Sequence, residues 1–133
     1  MVARWNDRVT EQDEVWHLGD FAVGRRTDPA ALLSSLKGRK HLITGNNDPA
    51  GVVALPGWAS VQPYAELTVE GIGLVLCHYA FRTWRNMSRH ALNLHGHSHG
   101  RLSPVRRQYD VGVDVWNFSP VALADIVARD RHS

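Results

Sequence analysis

Apolar residues in this chain gather into short runs of about four, and most of these runs stop at a glycine or a polar side chain. Val15-Trp16-His17-Leu18 reads as a strand and gives way to Gly19-Asp20. His41-Leu42-Ile43-Thr44 reads as a second strand and gives way to Gly45-Asn46-Asn47-Asp48-Pro49. Positions 58–61 and 66–69 alternate as strands do. Gly71-Ile72-Gly73 reads as a turn into Leu74-Val75-Leu76-Cys77, an unbroken apolar run fit for a central strand that ends on His78. Ala91-Leu92-Asn93-Leu94 is a further buried strand, and 109–113 is another, with Asp110 and Asp114 at turn-like positions.

Helical spacing occurs in three places. Trp5 and Val9 lie four apart and share a face, so 3–9 reads as the last turns of a helix. Only Met1 and Val2 precede it, with no cap or turn signal, so the chain is expected either to be a shortened one or to continue a longer protein. Asp28 is an N-cap with Pro29 at the first helical position; 30–36 carry the apolar face and Gly38 stops it. Ser119-Pro120 caps a last helix that carries Val121, Leu123, Ile126 and Val127. Repeats, linkers and low-complexity tracts are absent from the sequence, which predicts one α/β domain over 1–133.

The 133 residues suffice for a real core, and no apolar run approaches the roughly 20 residues that span a bilayer. The first residues lack a signal-peptide layout, so the expected location is cytoplasmic. A lone cysteine, Cys77, excludes an internal disulfide and reads as a packed core group. The net charge of +2 is too small to argue for nucleic acid as a partner. Arg101, Arg106 and Arg107 form the nearest thing to a basic patch, either a solvated loop or an attraction for phosphate.

The richest stretch is His95-Gly96-His97-Ser98-His99-Gly100. In extended backbone, His97 and His99 point to the same side, and neutral imidazole is the commonest protein metal ligand. Taken alone, the stretch favours a metal site at a strand end, with a histidine-rich polar turn as the lesser reading. Recurrence changes the weight: four apolar strands end in Asp20, Asn46, His78, and His97 with His99. Open α/β sheets gather ligands at such strand ends. The mixed nitrogen and oxygen set suits Mn, Fe, Zn or Ni better than Ca or Mg. His17 lies within its strand and reads as a core or supporting residue rather than a ligand. Phe81 to Asn86 could wall a pocket, with Arg82 and Arg85 either contacting phosphate or serving as ordinary surface arginines.

Gly19-Asp20, Gly45-Asn46-Asn47-Asp48, His78 and Gly96-His97-Ser98-His99, in that order, resemble the motifs of the calcineurin-like metallophosphoesterase superfamily, in particular its small bacterial phosphoesterases. The resemblance covers nearly the whole chain. It implies two facing mixed β-sheets flanked by helices, an α-β-β-α sandwich, here N-terminally shortened. It also implies that Asp20 bridges two metal ions, that Asn46, His78 and His97 complete one site, and that His99 serves the other. Such a pair, most characteristically manganese, acidifies a bridging water and clamps the phosphoryl group, while Arg82, Arg85 and Arg101 would neutralise charge in the transition state.

The chain departs from that pattern twice. The family's opening strand ends in Asp-x-His, and no such motif is present here, which leaves Asp20 and His99 for the second ion. Asn47 stands where the family carries a histidine beside the leaving group, and an amide cannot deliver a proton near neutral pH. The expected function is therefore metal-dependent hydrolysis of a phosphate mono- or diester, with a small phosphate ester or nucleotide as substrate. The alternative is a catalytically impaired, metal- or phosphate-binding remnant that forms a homodimer or needs a partner to complete its site.

Overall fold

The computed structural model describes residues 2–19, 28–46, 48–96, 105–111 and 120–131. Its elements run α1 (Val2–Arg8), β1 (Glu14–His17), α2 (Pro29–Ser35), β2 (Arg39–Ile43), α3 (Ala50–Val53), β3 (Ser60–Gln62), β4 (Tyr64–Val69), β5 (Ile72–Cys77), a 3-10 turn at Met87–Arg89, β6 (Leu92–His95), β7 (Gln108–Asp110) and α4 (Leu123–Arg131). The described strands form two sheets, ordered β1-β2-β3 and β4-β5-β6-β7. The class is α/β, with two sheets flanked by helices, as the sequence predicts. One detail differs: the described strands of the first sheet are all parallel, and only the second sheet is mixed, with β4 antiparallel to β5.

Alternation along the strands builds two cores. Leu42 faces outward from the first sheet against Trp5, Val9, Leu32, Leu33 and Leu36, so α1, α2 and α3 cover that side. Ile43 and Leu18 face inward and meet Leu74, Leu76, Leu92 and Leu94 of the second sheet, with Ile126 of α4 in the same core. His41 is buried on this inner side, stacked on Trp16 at 4.2 Å, with Ser60 and Glu14 at its two ring nitrogens. The outer face of the second sheet is covered by 81–91, whose Phe81, Trp84 and Met87 pack on Val75 and Ala91.

Asp28 caps α2 as expected, accepting the Ala30 N–H at 3.2 Å, with Pro29 opening the helix. Several boundaries move. The turn expected at 71–73 is instead Glu70-Gly71, with φ of 51° and 80°, because Val69 pairs directly with Ile72. Two consecutive positive φ values are what a two-residue hairpin loop requires. The strand read at 58–61 begins at Ser60, since Trp58 is buried in the helix-side core and donates Nε1–H to the Val52 carbonyl at 3.0 Å. α4 starts at Leu123 rather than at Ser119-Pro120, and the Asp125 carboxylate reaches back to the Ala122 N–H at 3.3 Å. The short α3 and the 3-10 turn were not predicted, being too short to show periodicity. Cys77 is half-buried rather than core, its Sγ 3.7 Å from the Pro63 carbonyl oxygen.

Candidate functional site

Parallel pairing fixes where strand ends go. β1 and β2 run side by side in one sheet, β5 and β6 in the other. The segments leaving these four strands meet at one point, centred on His78. Its side chain is 1% exposed. His78 Nδ1 lies 2.6 Å from the carbonyl oxygen of Leu18, just past β1. A carbonyl oxygen only accepts, so Nδ1 carries a hydrogen directed at Leu18. This bond also crosses from the second sheet to the first. The His78 carbonyl in turn accepts the N–H of Gly96, just past β6, at 3.0 Å.

Two glycines permit this closeness. A Cβ on Gly19 would overlap the His78 ring and stand 2.7 Å from the Gly45 Cα, and Gly19 has φ of +96°. A Cβ on Gly96 would stand 3.1 Å from the Leu18 carbonyl oxygen. The loop after β2 is closed by Asp48, whose carboxylate accepts the Gly45 N–H at 2.6 Å. That loop delivers Asn46, and Asn46 Oδ1 comes to 2.9 Å from His78 Nε2.

In the neutral ring Nε2 is the lone-pair nitrogen, and it faces the Asn46 amide oxygen. Two donor atoms 2.9 Å apart match neighbouring ligands of an octahedral ion whose bonds are about 2.1 Å long. Imidazole nitrogen and amide oxygen fit a borderline transition ion such as manganese. These two donors are compatible in type with a divalent metal, and they are two of the ligands expected from the sequence.

Of the expected ligands, Asn46 and His78 are brought together, and Asp20, His97 and His99 lie outside the described residues, as do Asn47 and Arg101. Gly19 and Gly96, which directly precede Asp20 and His97 in sequence, both pack on His78. No group of three or more metal-binding side chains occurs among the described residues.

Arg85, Phe81 and Trp84 are engaged elsewhere. Arg85 pairs with Glu66 at 3.0 Å, and Glu66 sits opposite Val75, partway back along β5 from His78. Arg82 is exposed in the loop that follows. Phe81 and Trp84 belong to the outer face of the second sheet, so the stretch 81–86 does not wall the strand-end site as expected. Sequence reasoning missed the Leu18 carbonyl, a main-chain group that no side-chain pattern reveals, and Tyr79, whose ring meets His78 edge-on at 4.9 Å. The glycines after β1 and β6 were the available signal for the close approach.

No family model matches the chain. It is 26% identical to the uncharacterized protein MJ1445 of Methanocaldococcus jannaschii, an alignment that covers 96% of this chain and 71% of that protein. It is 29% identical to the gene 66 protein of Mycobacterium phage D29, over 85% of this chain and 73% of that one. Among solved structures, the protein of unknown function AQ665 from Aquifex aeolicus superposes with a TM-score of 0.71 at 18% identity. That match covers 96% of this chain and 82% of the other, and it shows a shared fold. Among the described residues, no helix is long and apolar enough to cross a membrane.

Proposed function

We propose that this protein is a metal-dependent phosphoesterase of the calcineurin-like kind, with a metallophosphoesterase-like sandwich of two sheets and its site at the converging strand ends. One observation carries the reading: Nε2 of His78 and Oδ1 of Asn46, from different sheets, lie 2.9 Å apart with the imidazole hydrogen turned away toward Leu18. An imidazole nitrogen and an amide oxygen at that spacing could serve as neighbouring ligands of one cation.

Asn46 and His78 would hold the ion together with Asp20 and His97, and His99 would serve a second ion. A divalent ion there supplies Lewis acidity toward the phosphoryl group and lowers the pKa of water at the site. The chain's own contribution is positioning. Leu18 fixes the His78 tautomer, Asp48 shapes the loop that carries Asn46, and Gly19 and Gly96 let the backbones close in. Arg82, Arg85 and Arg101 stand as proposed phosphate contacts, Arg85 only once released from Glu66.

The test begins with protein stripped of metal by chelation. Adding Mn²⁺ or Ni²⁺ is expected to restore binding heat in calorimetry and hydrolysis of p-nitrophenyl phosphate or its diester. No activity with any divalent ion would overturn the hydrolase reading. Asn47→His is expected to raise turnover of alkyl esters more than aryl ones, because alkoxide leaving groups depend on a proton donor, worth about 10²–10⁴-fold.

A second reading draws on Asn47 itself, which cannot act as that donor. In this reading the chain binds a metal or phosphate without turnover, as a homodimer or with a partner. Mn²⁺ binding without hydrolysis, together with a dimer in light scattering, is its signature.

A further inference from the structure

His41 is buried in the middle of β2, 7% exposed, and the strand-end pair makes no use of it. Three neighbours fix its ring. Trp16, its register partner on β1, lies flat against it at 4.2 Å and 9°. Glu14 Oε1 lies 3.3 Å from Nε2, and Oγ of Ser60, its register partner on β3, lies 2.6 Å from Nδ1. A carboxylate only accepts, so in the neutral ring Nε2 carries the hydrogen. Nδ1 is then the lone-pair nitrogen, and it accepts the Ser60 hydroxyl hydrogen. A nucleophile on a base, with the base held by a third group, is the arrangement that activates a hydroxyl. Ser34 and Ser35 differ, because they donate to the Ala30 and Leu32 carbonyls, which are far too weak as bases to take a proton. Ser60 is half-buried on the outermost described strand of its sheet, where a small reagent can approach.

The geometry points to Ser60 as a metal-independent nucleophile that accepts an acyl group from an activated carboxylic ester. Ser60 Oγ bonds to the carbonyl carbon while its proton passes to His41 Nδ1. The bond from that carbon to the alcohol oxygen then breaks, the departing oxygen takes the proton, and an acyl-serine remains. His41 is the general base, and Glu14 is a positioning residue that acts through it. Asn46 and His78 take no part, so this reaction stands apart from the phosphoesterase reading.

The experiment holds the whole protein in chelator and exposes it to p-nitrophenyl acetate. Absorbance follows release of the p-nitrophenol, and peptide mass mapping locates the acetyl group. The label is expected on Ser60, with Ser34 and Ser35 unmodified. Ser60→Ala should abolish the release that accompanies it. His41→Gln should slow labelling of Ser60 about 10²–10⁴-fold, the usual worth of a general base. Glu14→Gln should slow it too while keeping the parent's urea midpoint, because an exposed carboxylate pair contributes little to stability. If His41→Gln does not fold, the Glu14→Gln rate decides alone. Acetyl groups on lysines or Cys77 with Ser60 bare would overturn the proposal. So would Ser60 labelling at an unchanged rate in Glu14→Gln.

Discussion

Gly19 and His78 are so close that a single methyl group on the glycine would overlap the imidazole, although the two residues follow strands of different sheets. Gly19 also holds φ at +96°, where an L side chain is strained. Gly19→Ala is therefore expected to cost about 1–3 kcal/mol from the backbone alone, with a further loss as the ring is displaced from Leu18. Gly51 provides the contrast: it lies in α3 and a Cβ there meets nothing within 4 Å. Gly51→Ala should be neutral or stabilise by about 0.5–1 kcal/mol. Urea denaturation of both variants checks the difference, and equal midpoints would contradict it.

Asn93 sits in the middle of an apolar run and is 0% exposed. Its amide donates to the Val75 carbonyl at 3.1 Å and its oxygen accepts from the Phe81 N–H at 3.1 Å and from Gln108 Nε2 at 2.8 Å. Gln108 also donates to the Phe81 carbonyl. The amide thus fastens the 81–91 segment and β7 onto β5. Asn93→Leu keeps the branched shape and strands these partners in a dry site, at about 1–3 kcal/mol for each buried group left unpaired. A double-mutant cycle with Gln108→Leu should show coupling, since removing both amides leaves fewer orphans than the two single losses added together. Simple additivity would mean that the network is not a unit.

The contrast between Asn93 and His78 shows what the sequence makes legible. Strand positions followed from four-residue apolar runs because β2, β5 and β6 each carry consecutive buried residues, so both faces of the strand are covered there. The ends of those runs named Asn46 and His78 as partners, and the structure joins them. Less visible was anything decided by a neighbour far away in sequence. Asn93 reads only as a tolerated polar residue in a strand until Gln108 and Phe81 arrive around it. The Glu70-Gly71 turn hid because the register of β4 against β5, not composition, selects which two residues turn. Phe81 and Trp84 looked like a pocket wall because their aromatic character is equally suited to covering a sheet face, which is what they do.

Tyr64 and Glu66 form an exposed pair on β4, with the phenol donating to the carboxylate at 2.7 Å and Arg85 on the other carboxylate oxygen. Desolvation first, then the hydrogen bond and charge of Glu66, push the Tyr64 phenol up to about 12. The same hydrogen bond, with help from Arg85, holds Glu66 below the usual carboxylate range. A raised phenol contributes stability that is intact below the unfolded value of about 10 and is lost as pH climbs toward 12. The lowered carboxyl works at the other end: its contribution is present above the unfolded glutamate value and disappears as pH falls through the folded one. Ultraviolet titration of the phenols should show one tyrosine ionising near 12. Glu66→Gln should bring it part of the way back, since desolvation persists. High salt should shrink the Arg85 share, as both groups face solvent.

Asn46 is the cleaner probe of the metal, because His78 also holds the two sheets together through Leu18. Replacing His78 would confound lost coordination with lost folding, whereas Asn46 is exposed and its side chain reaches Nε2 from a loop already closed by Asp48. If the amide oxygen is a ligand, Asn46→Leu should weaken Mn²⁺ binding by at least about 10–100-fold, the range found for removing even an outer supporting group. Asn46→Asp should retain or tighten it, since a carboxylate offers a charged oxygen at the same reach. Both variants should unfold at nearly the parent's urea midpoint once metal is removed, because an exposed loop side chain contributes little to the core. Calorimetry with Mn²⁺ on the three proteins decides the matter. If Asn46→Leu bound manganese as tightly as the parent, Oδ1 would not be a metal ligand, and the metal would have to be sought away from the Asn46–His78 pair.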